Sequence, residues 1–157
     1  MKTWKLLAVV GLAVLMTACA TGTRRVSEPT ASVQQLTVGT DGNWSVDLRL
    51  QNYSSIPMRF ESLQLTLAVG GDEAGTLSQA TGLTIGPESA DIVTVALVPD
   101  AQARARIADT LAANRALGYR LDGTLRVAPE DRGNARDYPI RRESSLNPVP
   151  GLPGVMR

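Results

Sequence analysis

The stretch that decides the fold is Trp44-Ser45-Val46-Asp47-Leu48-Arg49-Leu50-Gln51-Asn52. Apolar side chains alternate with polar ones at period two, which lays one face of a β-strand against a core and the other in water. The same alternation recurs at Leu63, Leu65, Leu67 and Val69, at Val93, Val95 and Leu97, and from Tyr119 through Leu121, Gly123 and Leu125 to Val127. Weaker strand candidates are Val33 to Val38, Thr76 to Gln79 and Asp137 to Ile140. Turn-forming runs separate them: Thr40 to Asn43, Ser54 to Pro57, Gly70-Gly71-Asp72, Gly86-Pro87 and Pro129 to Asn134. About seven short strands spaced in this way predict an all-β antiparallel sandwich, with Asp41-Gly42 turning a hairpin between the first two.

One segment departs from the pattern. Asp100 to Leu117 is rich in alanine and arginine and spaces Ala103, Ile107 and Leu111 at helical intervals. It predicts a helix capped by Asp100, ended near Gly118, and laid over an end or edge of the sandwich, because its narrow apolar stripe cannot fill a core centre. Arg104, Arg106 and Arg115 on it are the ordinary solvated face of such a helix.

The two ends of the chain read differently from the middle. Lys2 and Lys5 precede an apolar run from Leu6 to Met16, which is about half the length needed to span a bilayer and has the form of a secretory signal. Leu15-Met16-Thr17-Ala18-Cys19 resembles the bacterial lipobox, in which a cysteine becomes the mature N-terminus and carries a diacylglycerol thioether. Cys19 is therefore the expected lipid-attachment residue, and Ala20 after it favours the outer membrane, with the domain in the periplasm of a two-membrane cell. Residues 1–18 are then a signal peptide, 19–30 a lipidated terminus and tether, 31–141 the sandwich domain and 142–157 a proline-rich tail. Arg24-Arg25 in the tether are expected to be solvated. The tail, with Pro148, Pro150 and Pro153, is expected to be extended, either packed along the domain or held out for a partner.

Composition narrows the chemistry. The 157 residues contain no histidine and one cysteine, so His-based triads, zinc sites with nitrogen and sulfur ligands, and internal disulfides are excluded. Beyond the N-terminal lysines, fourteen arginines stand against fifteen carboxylates, which offers no electrostatic footprint for nucleic acid. Asp72-Glu73, Glu130-Asp131 and Asp137 are acidic features in or beside turns, without the spacing of a calcium loop or an acid/base pair. Asn43-Trp44-Ser45 and Asn52-Tyr53-Ser54 match the glycosylation sequon incidentally, and no phosphate-cradling glycine pattern occurs. No catalytic residue, cofactor or metal is expected.

Taken in order, the strand ending at Asn52, the Ile56-Pro57 turn, the strand running into Gly70-Gly71 with Ala74-Gly75 after it, Tyr119-Arg120-Leu121-Asp122-Gly123, and Tyr138-Pro139-Ile140 resemble the late embryogenesis abundant type 2 family, also called the water-stress and hypersensitive-response (WHy) domain. Tyr53-Ser54 stands where an Asn-Pro pair is common in that family. The resemblance implies an immunoglobulin-like or fibronectin-like sandwich with one crossing helix, an association with desiccation or osmotic stress, and no catalytic residues. The expected function is a non-enzymatic, membrane-anchored envelope protein. The alternatives are an interaction module docking an envelope protein by a sheet edge or the tail, and a domain holding a lipid or other apolar ligand between sheets and helix.

Overall fold

The computed structural model describes residues 23–157. Among the described residues eight strands form in chain order: β1 Thr30–Val38, β2 Trp44–Gln51, β3 Met58–Val69, β4 Asp72–Ile85, β5 Ala90–Leu97, β6 Leu117–Pro129, β7 Arg136–Leu146 and β8 Val155–Met156, with one helix, α1 Ala101–Ala112, between β5 and β6. They make two four-stranded antiparallel sheets in the orders β5-β2-β1-β8 and β4-β3-β6-β7. The period-two alternation produces this directly. In β2, Trp44, Val46, Leu48 and Leu50 are buried, and across the sandwich so are Leu63, Leu65 and Leu67 of β3 and Leu121, Leu125 and Val127 of β6. These side chains pack together as one core between the sheets.

The turns follow their chemistry. Gly70 and Gly71 take φ of 57° and 92° between the paired Val69 and Asp72, a two-residue hairpin that needs positive φ at both positions. Gly123 in β6 answers a different need: at φ 151° its backbone lies so close to β3 that a Cβ would strike the Gln64 carbonyl oxygen. The helix begins where Asp100 accepts a 3.0 Å hydrogen bond from the Gln102 N–H. It ends at Ala112, earlier than the Gly118 expected, because Asn114 adopts φ 49° and Leu117 already belongs to β6. Ala103, Ile107 and Thr110 are its buried face, while Leu111 is only partly covered. It lies over the end of the sandwich that carries the β1–β2 and β3–β4 turns, with the Arg106 stem against Gly70 and its Nε 2.9 Å from Asp72.

The C-terminal boundary expected at residue 141 falls inside a strand. β7 runs on to Leu146 because it pairs continuously with β6, from Arg136 opposite Val127 to Leu146 opposite Leu117. The tail then folds into a small hairpin closed by two hydrogen bonds between Asn147 and Arg157, with Val149 N–H donating to the Val155 carbonyl at 2.9 Å. Its β8 pairs Met156 with Leu36 and Val155 with Thr37, and Met156 is fully buried. The prolines and glycines shape that hairpin, so the tail is part of the domain and is not held out as a free polyproline segment.

Candidate functional site

The most built polar arrangement in the domain surrounds Asn52, at the end opposite α1. β2 ends there, and the Asn52 side chain, 1% exposed, sits between two loops. Its Nδ2 donates to the carbonyls of Ile56 at 2.9 Å, Ile85 at 3.1 Å and Gly86 at 2.8 Å. Its Oδ1 accepts the Ser54 N–H at 2.8 Å, and its own backbone N–H donates to the Ser89 carbonyl at 2.8 Å. One amide thus ties the β2–β3 loop to the β4–β5 loop, and so one sheet to the other. All its polar capacity is used on backbone groups, which makes it a structural clasp without spare chemistry.

That clasp presents Ser54 and Ser55, and the chain entering the domain is laid on them. The Arg25 N–H donates to Ser55 Oγ at 2.9 Å, and the Ser55 N–H donates back to the Arg25 carbonyl at 3.0 Å. Ser27 N–H donates to Ser54 Oγ at 3.0 Å. The Arg25 guanidinium reaches the Tyr53 carbonyl at 3.1 Å and Glu88 at 2.8 Å, and Arg24 reaches Asp131 at 3.1 Å. Residues 23–29, expected to belong to a solvated tether over 19–30, are therefore strapped across this end. Composition alone could not reveal it, because the strap is held by backbone partners and exposed ion pairs, with no large apolar residue buried. The two guanidinium pairs are half or more exposed, so each contributes about 0–1 kcal/mol, and the backbone hydrogen bonds do more.

Cys19, the predicted lipid-attachment residue, lies outside the described residues. In the sequence only Ala20, Thr21 and Gly22 separate it from Thr23, and a step of four residues covers at most about 14 Å. Thr23 itself is on this end of the sandwich, its carbonyl accepting from Ser55 Oγ at 3.2 Å. That end also exposes Val26 and Tyr53, each nearly half accessible.

Four of the five acidic residues weighed in the sequence are engaged by other side chains. Asp72 pairs with Arg106, Asp131 with Arg24 and Asp137 with Arg126, while Glu130 accepts from Thr84 Oγ1 at 3.0 Å. Hydrogen bonds from the Asn43 backbone and side chain hold the Asp41 carboxyl below the ordinary 3.8, with Arg104 adding a smaller pull. Among the described residues no group of three or more Asp, Glu, His or Cys is arranged to hold a metal ion. No described helix is long and apolar enough to cross a membrane. An open, polar groove of about 540 Å³ runs between β1 and β7 past Arg49 and Arg142.

Comparison with known proteins bears on the same residues. A family model described as late embryogenesis abundant protein matches residues 47–143, from mid-β2 into β7. Among solved structures, a crystal structure of a protein from Archaeoglobus fulgidus is similar at 15% identity over 80% of this chain and 98% of that one, with a TM-score of 0.44. A solution structure of an Arabidopsis thaliana protein is similar at 13% identity over 79% of this chain and 80% of that one, with a TM-score of 0.49. No curated protein matches the chain.

Proposed function

The chain belongs to the late embryogenesis abundant type 2 family, and on that premise we propose that it is a non-enzymatic lipoprotein, anchored through Cys19 with its WHy-like sandwich held close against a bacterial envelope membrane. Its role in this reading is protection of the envelope in desiccation or osmotic stress, on the periplasmic side of the outer membrane. The observation that carries the reading is a lipobox-like cysteine four residues before Thr23, whose carbonyl is bonded to Ser55 at the Asn52 end. Two or three acyl chains hold a protein on a bilayer essentially permanently, since each buried methylene contributes about 0.8 kcal/mol. With only four residues of chain from Cys19 to Thr23, an anchor at Cys19 sets the Asn52 end toward the lipid and the α1 end away from it.

Packing of the core between the sheets disfavours the apolar-ligand alternative, and burial of Met156 in the tail's hairpin weighs against the tail as an extended recognition element. The balanced ion pairs on the outer face of the β4-β3-β6-β7 sheet, including Arg126 with Glu61 and Asp137 and Arg120 with Asp122, give a charge-balanced, hydrated surface. Fractionation of cells carrying the wild-type chain or Cys19→Ser tests the proposal. The wild type is expected in the membrane pellet after a high-salt wash and the variant in the soluble fraction. Retention of Cys19→Ser in the pellet after that wash overturns the anchor.

A further inference from the structure

Two four-stranded sheets leave strand edges open, and their residues treat those edges differently. β1 is covered by β8 at Leu36 and Thr37, carries a bulge between Val33 and Gln35, and has its Val33 N–H capped by the Tyr119 hydroxyl at 3.2 Å. β4 is bulged against β3 at two places and bent by Gly75 and Gly82, both at positive φ. β7 carries Pro139 together with Arg136, Asp137, Arg141, Arg142 and Glu143. Bulges, prolines and charges are the devices that keep an edge from pairing with another strand. β5, Ala90-Asp91-Ile92-Val93-Thr94-Val95-Ala96-Leu97, has none of them beyond Asp91, and pairs with β2 in unbroken register from Ala90↔Gln51 to Leu97↔Trp44.

The direction of its free hydrogen-bonding groups follows from one contact. Ile92 N–H donates to the Asp91 carboxylate at 2.8 Å, so it points away from β2. Alternation then turns the N–H and C=O of Ile92, Thr94 and Ala96 together toward the open side. An antiparallel copy of β5 centred on Thr94 places Thr94 opposite Thr94 and Ile92 opposite Ala96, and every outward group finds a partner once the Ile92 N–H exchanges the Asp91 carboxylate for the facing Ala96 carbonyl. Shifting the centre to Ile92 or Ala96 would run the strand into Pro87 or Pro99. In the Thr94 register the two Asp91 carboxylates fall opposite Leu97 at the two ends of the pair, roughly 20 Å apart, so no like charges meet.

We propose that the open β5 edge is a self-association surface, on which a second copy of this chain pairs antiparallel about Thr94 and joins two four-stranded sheets into one of eight. A two-fold contact of this kind is self-complementary and closes at the dimer. It is independent of the lipid anchor. Sedimentation velocity of the full chain in detergent, across concentrations up to about 0.5 mM, reads it directly. The wild type is expected to shift from monomer to dimer with concentration. Thr94→Pro removes only N–H groups that face the open side, so it is expected to keep the wild-type circular dichroism spectrum and weaken association at least tenfold. Thr94→Lys, which leaves the backbone untouched and sets two ammonium groups face to face on the axis, is expected to do the same should the proline variant not fold. A wild type that stays monomeric throughout, or a folded Thr94 variant that associates as tightly as wild type, overturns the proposal.

Discussion

Replacing Asn52 by alanine is expected to destabilise the domain more than any other substitution of a polar residue. The wild-type side chain satisfies the Ser54 N–H and three loop carbonyls, and the contacts to Ser54 and Ile85 are fully buried. Leaving a buried donor or acceptor unpaired costs about 1–3 kcal/mol, so two such groups and a small void come to about 3–5 kcal/mol. The described domain of 135 residues, 23–157, loses about 3–4 °C of melting temperature per kcal/mol, which places the variant roughly 10–18 °C below wild type. Asn52→Asp sharpens the test, because it keeps an acceptor for Ser54 yet sets a carboxylate against three carbonyl oxygens. Its carboxyl is held above the ordinary carboxylate range in the fold, so this variant should gain stability as pH falls and the carboxyl becomes a donor. Thermal unfolding followed by circular dichroism, at neutral pH and near pH 4, reads both. A shift for Asn52→Ala under about 3 °C would refute the clasp as the joint between the loops.

Other outcomes follow from single contacts. Gly123→Ala should fail to fold or lose several kcal/mol, since its Cβ meets the Gln64 carbonyl and its φ is 151°; soluble yield and melting temperature check it. Ile107→Ala should cost about 2–4 kcal/mol by urea denaturation, because that side chain is 1% exposed under the helix. Arg25→Ala should leave the melting temperature nearly unchanged, within about 1 kcal/mol, while hydrogen exchange at Arg25 and Ser27 speeds up as the strap loosens. Asp41 should titrate below 3.8 by carboxyl NMR; the stability linked to it is present above its unfolded pKa and is lost as pH falls through the lower folded value.

The regular parts of this fold are written in period-two alternation, which is why β2, β3, β5 and β6 can be read off the chain. The long edge strands were harder. β4 has only Ala74, Leu77 and Ile85 fully buried in fourteen residues, so its alternation fades and the sequence shows just Thr76 to Gln79. β7 carries Arg141, Arg142 and Glu143 where an inner strand would bear apolar groups, and pairing with β6 rather than burial extends it. β8 is two residues fixed by a proline-shaped hairpin, a tertiary event with no local period. At the Asn52 end, the Asn-Tyr-Ser-Ser turn was visible as a turn. Its use as a seat for residues 25 and 27 was not, because the holding partners are backbone groups about thirty residues away.

Mass spectrometry of the mature N-terminus of the membrane-extracted protein tests the anchor most directly. The account predicts a tryptic peptide beginning at Cys19 and ending at Arg24, carrying a diacylglycerol thioether, with residues 1–18 absent. A chain that retains Met1, or begins near Cys19 with a free thiol, would contradict it.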